Sequence, residues 1–118
     1  MLRRCLAALA VLVSILRSEP VLAQGIMLEG SIDCGLWMQA RTESRAEALE
    51  HYLIGFLNGL ALAARIDFWR AGPRLSRQQI YLWMDNYCRS TPLSSPVQGA
   101  IALINERTGG AWDRRRDD

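Results

Sequence analysis

The chain contains no lysine, a single histidine (His51) and only three cysteines among 118 residues. All fourteen basic residues are arginine, a pattern that reads as codon bias rather than function. One histidine and scattered cysteines make a poor metal set, because a structural zinc site needs four converging ligands. No C-x-x-C is present, which argues against a redox pair. No G-x-S-x-G element accompanies His51, and no glycine-rich phosphate loop occurs. His51, between Glu50 and Tyr52, therefore reads as a helix-surface residue in preference to a catalytic base. Asp33, Asp67, Asp85 and Glu106 are scattered, with no spacing that predicts a glycosidase-type carboxylate pair. The expectation is a protein that is not an enzyme, with no cofactor and no metal.

Long hydrophobic runs are also missing. Cys5–Leu16 carries no charge but falls short of the roughly 20 apolar residues a spanning helix requires. It follows Arg3 and Arg4 and precedes Val21-Leu22-Ala23. A basic start, a short apolar run and small residues at a V-x-A site read as a secretory signal peptide, 1–23, cleaved after Ala23. No cysteine follows Ala23, so no lipoprotein site is expected, and no stable membrane anchor survives cleavage. The expected location is the periplasm.

Excess charge of one sign is absent once that segment is set aside. Losing Arg3, Arg4, Arg17 and Glu19 leaves eleven arginines against eleven acids. A neutral domain disfavours nucleic acid as a partner. What remains is an ordinary globular mixture, 50% hydrophobic and 22% charged over the whole chain. Residues 24–110 are expected to form one domain and 111–118 a flexible charged tail. Cys34 and Cys88 remain as an even pair in an oxidising compartment, and one structural disulfide is the natural inference.

No alternating strand pattern runs beyond a few residues, and helical spacing dominates. Ile32–Ala40 is compatible with a short helix or an extended segment, with helix slightly favoured. Ser44-x-x-Glu47 is a capping-box pattern opening a long helix over about Arg45–Ile66. Gly55 and Gly59 share one face of that helix, and their cost there suggests close packing of another element. Asp67–Leu75, with Gly72-Pro73, is expected as a loop. Ser76-x-x-Gln79 opens a second helix over Arg77–Arg89. Ser94 or Ser95, with Pro96 at the first position, caps a third, which Gly109-Gly110 ends. The predicted fold is all-α, a bundle of three to four helices tied by Cys34–Cys88. Of the aromatic residues, Trp37 and Trp83 are assigned to the core, and Trp112 has the weakest structural reason. Arg41 and Arg45 are expected to pair at the surface with Glu43 or Glu47.

Three segments stand in order: Cys34-Gly35-Leu36-Trp37, then Tyr52–Gly59 (YLIGFLNG), then Trp83–Leu93 (WMDNYCRSTPL). Together they resemble the small exported helical proteins of Gram-negative bacteria that include the acid-stress chaperones HdeA and HdeB. More distantly, the chain is similar to immunity proteins that neutralise type VI secretion amidase effectors. The likeness spans about Cys34 to Glu106. The first resemblance implies a dimer at neutral pH and a partly unfolded monomer that holds unfolded periplasmic clients in acid. Once acid repulsion loosens the helices, Leu53, Phe56, Trp83 and Ile101 are the candidate client-binding face. The second implies an inhibitor that blocks an exported hydrolase by presenting a loop, with Asp67–Leu75 as the candidate.

Overall fold

The computed structural model describes residues 28–118; the expected signal peptide and its cleavage site lie outside the described residues. Among the described residues there are five α-helices, one 3-10 turn and no strand. The helices are α1 (Cys34–Thr42), α2 (Glu47–Ala64), α3 (Arg77–Ser90), α4 (Pro96–Thr108) and α5 (Ala111–Asp117). The 3-10 turn, Phe68–Arg70, lies between α2 and α3. The protein is thus all-helical, with one more helix than the expected three to four.

The ambiguous Ile32–Ala40 segment becomes α1 because Asp33 caps it, its side chain accepting from Leu36 N at 2.7 Å. Cys34, Trp37 and Ala40, three residues apart, form its buried face. The capping box expected at Ser44 is absent, and α2 begins after Ala46 with no side-chain cap. The reason lies in the end of α1. Ser44 adopts a left-handed backbone, φ 54. Its N–H donates to Arg41 O at 3.3 Å, and Arg45 N donates to Ala40 O at 2.9 Å. These bonds form a Schellman stop, and an N-cap needs extended backbone instead. Arg65 ends α2 in the same way, with Ile66 N donating to Ala61 O at 2.9 Å. The second capping box forms in full: Ser76 accepts from Gln79 N, and the Gln79 side chain accepts from Ser76 N. Ser95, not Ser94, caps α4, and Pro96 takes its first turn.

A helix also replaces the expected frayed tail from Ala111. Its first N–H groups find acceptors on α4. Asn105 Oδ1 accepts from Trp112 N at 3.1 Å and from Asp113 N at 3.3 Å. Thr108 Oγ1 accepts from Ala111 N at 3.2 Å. These caps sit several residues upstream, beyond the reach of a local capping pattern.

Helix α1 packs on α3, while α4 packs on α2, α3 and α5. The core between them holds Trp37, Leu53, Leu57, Phe68, Ile80, Met84 and Ile104, all closed to solvent. Cys34 and Cys88 are joined in a disulfide with Cα atoms 5.0 Å apart. The bridge ties the first turn of α1 to the end of α3. No described helix is long and apolar enough to cross a membrane.

The close-packing glycine is not the one the sequence pattern points to. Gly55 and Gly59 are exposed, and a Cβ built on either meets nothing within 4 Å. Gly99 on α4 is the tight position, where a Cβ would lie 2.6 Å from Met84 Sδ and 2.8 Å from Tyr87 Cδ1. Opposite outcomes are therefore expected from the same substitution. Gly55→Ala and Gly59→Ala should each stabilise the protein by about 0.5–1 kcal/mol, since helix propensity is gained at no steric cost. Gly99→Ala should destabilise it by about 1–3 kcal/mol through overpacking. Urea denaturation of the three variants checks both signs.

Candidate functional site

Where three helices meet, the fold holds an ionic junction. Arg41 lies one turn beyond Trp37 on α1 and reaches between α2 and α3. Its Nε donates to Asp85 Oδ1 at 3.0 Å and its Nη2 to Asp85 Oδ2 at 2.9 Å. Its Nη1 donates to Glu50 Oε1 at 2.5 Å. The buried Trp37 ring donates its Nε1–H to Asp85 Oδ1 at 2.8 Å. Tyr81 closes the junction from α3, with the Arg41 guanidinium 5.8 Å from its ring centroid.

The three charged side chains are largely enclosed, with 23%, 21% and 13% of Arg41, Glu50 and Asp85 exposed. The two-pronged contact with Asp85 suits the planar guanidinium, which matches a carboxylate with parallel N–H bonds. Hydrogen bonding to Asp85 raises the Arg41 pKa above its ordinary value, against the opposing effect of burial. Burial, reinforced by the Glu50 charge, also raises the Tyr81 hydroxyl pKa. Arg41 therefore stays charged throughout the acid and neutral range. The junction is a clamp: α1 and α3 are also joined covalently, whereas α2 reaches it through the Glu50 ion pair.

The expected surface pairing holds for Arg45, which meets Glu43, but not for Arg41. Sequence spacing could not place Arg41 against a carboxylate 44 positions away. The available signal was its place one turn from Trp37, on the face that α1 buries.

The four residues assigned to a client-binding face do not form an open patch. Leu53 is wholly buried in the core. Phe56, Trp83 and Ile101 are half-buried. Phe56 stacks on Tyr52 with centroids 6.2 Å apart, and Trp83 on Tyr87 at 5.5 Å. Trp83 packs against the core cluster from its edge, not fully enclosed like Trp37, and its Nε1–H reaches Glu106 at 3.2 Å. Trp112 is half-buried and packs against the core cluster. Among the described residues the large apolar side chains that face solvent are Leu28, Leu36, Leu62, Leu82 and Leu93, with Leu62 and Leu93 the most open. His51 is exposed on α2. Among the described residues no group of three or more His, Cys, Asp or Glu side chains could hold a metal ion.

The Asp67–Leu75 segment is more ordered than a simple loop. Phe68 is wholly buried, and the Trp69 Nε1–H donates to Asn58 Oδ1 at 2.8 Å. From α4, Arg107 donates to Pro73 O at 2.8 Å and lies over the Phe68 ring at 5.5 Å. The segment is fixed on both sides while Arg70, Gly72 and Arg74 stay exposed. No family model, curated protein or solved structure matches this chain.

Proposed function

We propose that this is an exported protein-binding protein that opens in acid to hold unfolded periplasmic clients. Binding rather than catalysis is its role, and it needs no cofactor. The observation that carries this reading is the junction at Arg41. It fastens α2, through Glu50, to a pair of helices that remain covalently joined when ion pairs fail.

The chemistry runs in one direction. Carboxylates as a class take up protons below about pH 4, while arginine keeps its charge. The 28–118 domain carries eleven acids and eleven arginines, with His51 as its one further base. It would pass from near neutrality to roughly +11 to +12 in strong acid. Self-repulsion then favours expansion. At the junction Arg41 keeps its charge while the positive charge of the whole domain grows around it. Helix α2 can lift without breaking a covalent bond. Its inner face carries Leu53 and Leu57, flanked by the half-buried Ile54, Phe56 and Leu60. Exposed together, these form a client-binding surface that the native fold conceals. In this form Leu53 and Phe56 bind only after opening, and the disulfide keeps the partners in register for refolding.

The test is aggregation of a model client at pH 2–3 and at pH 7, with oxidised or reduced protein added. Suppression in acid alone, weakened by reduction, is the expected result. No suppression in acid would overturn the proposal. A stoichiometric neutral-pH complex with an exported hydrolase, without acid activity, would instead support the inhibitor role.

A further inference from the structure

A groove of about 630 Å³ lies between the middle of α2, the 3-10 turn and the start of α3. Arg70, Arg74 and Arg77 line it, with Ile54, Trp69 and Leu75 supplying its apolar wall. No carboxylate lines it among the described residues. Arg74 and Arg77 have no acidic partner within salt-bridge distance among the described residues, and Arg70 meets only Asp67, at 3.7 Å. That pair is open, with 88% and 63% of its side chains exposed. Exposed pairs contribute little and exchange readily, so all three guanidinium groups are available to a ligand.

The surrounding charge has the same sense. Between Arg65 and Arg77 there are four arginines and one acid, Asp67. Between Glu29 and Glu50 there are five acids and two arginines. A chain neutral in total thus has a basic region around the groove, and such a field steers an oppositely charged partner. The groove is also preformed. Asn58 holds the Trp69 indole, Arg107 holds Pro73, and the Ser76–Gln79 capping box fixes the start of α3.

We propose that this groove docks an acidic segment of a partner protein, its carboxylates on Arg70, Arg74 and Arg77 and an apolar side chain against Trp69 and Leu75. Guanidinium forks match carboxylates, and the indole offers a rigid apolar wall with little ordering cost. The site belongs to the native fold at neutral pH, so it stands whether or not acid opens the molecule.

The probe is a fluorescently labelled peptide of alternating glutamate and leucine, about eight residues long, titrated at pH 7 in low salt and followed by anisotropy. A lysine–leucine counterpart and a labelled oligothymidylate serve as comparisons. Saturable binding of the acidic peptide is expected, falling as salt rises. Arg74→Glu/Arg77→Glu should weaken it at least tenfold. These positions are exposed, and a glutamate at position 77 suits the start of a helix, so the fold is retained. Arg114→Glu/Arg116→Glu makes the same charge change on α5 and should alter binding less than threefold. Circular dichroism confirms that both variants are folded. The proposal is overturned by no binding in low salt, by equal loss in both variants, or by tighter binding of either comparison probe. None of these results bears on client holding in acid, which is measured separately.

Discussion

Replacing Cys34 and Cys88 together by alanine is expected to lower stability at pH 7 by about 4 kcal/mol. The bridge closes a loop across 54 positions, and releasing it returns that closure entropy to the unfolded chain. For a domain of this size the loss corresponds to a fall in Tm of roughly 15–30 °C. Both cysteines are buried, so alanine avoids the cost of enclosing an unpaired hydroxyl. Thermal and urea denaturation of the double variant, beside the reduced parent, provide the check. A loss below about 1 kcal/mol would mean that packing of α1 on α3 holds the two helices without the bridge. The proposed holding activity would then not depend on a covalent tether.

Arg41→Met is expected to cost about 2–4 kcal/mol at pH 7. Removing one member of an enclosed ion pair leaves the others uncompensated, at about 3–5 kcal/mol for a fully buried pair. Partial exposure of Glu50 and Asp85 reduces that figure. Methionine retains much of the stem, so the effect reports the guanidinium rather than lost packing. The pH dependence separates this role from a purely steric one. The Arg41 pKa is raised on folding, so its contribution is fully present below the unfolded arginine value and is lost only at strongly alkaline pH. Carboxylates as a class lose their charge below about pH 4, so a guanidinium that acts through ion pairs has less to offset in acid, and the penalty of Arg41→Met should shrink by about pH 3. Urea midpoints of parent and variant at pH 7 and pH 3 measure it. An equal penalty at both values would show that the junction holds by packing and that acid does not release it.

Much of this fold is written locally. Ser76 and Gln79, Ser95 with Pro96, and the turn at Gly109 lie where helix-end chemistry predicts them, because each uses neighbours within one turn. Ser44 carries the same Ser-x-x-Glu signal as a true cap and fails. Its backbone is already committed to ending α1, and a pattern read forwards along the chain does not register a claim from behind. Gly55 and Gly59 repeat the lesson for packing. Their spacing is that of a contact face, yet only the tertiary arrangement reveals that Gly99 meets Met84 and Tyr87. The helix at Ala111 was hidden because Asn105 and Thr108 cap it from the preceding helix. For the site, the disulfide followed from counting cysteines and from their expected compartment. The Arg41 junction did not, since Asp85 lies far along the chain and nothing in its surroundings distinguishes it from other carboxylates. Hydrophobicity by itself does not separate Leu53, enclosed in the core, from Leu62 at the surface, so the burial on which the proposed opening depends is visible only in the tertiary arrangement.

Release of α2 from a covalently paired α1 and α3 is the central claim, and hydrogen exchange read by mass spectrometry tests it most directly. Protection of α2 amides, corrected for intrinsic rates, should fall steeply between pH 7 and about pH 2.5 in the oxidised protein. Amides of α1 and α3 beside the Cys34–Cys88 bridge should keep most of theirs. Protection retained in α2 at pH 2.5, or lost equally from all three helices, would contradict an opening that begins at the Arg41 junction.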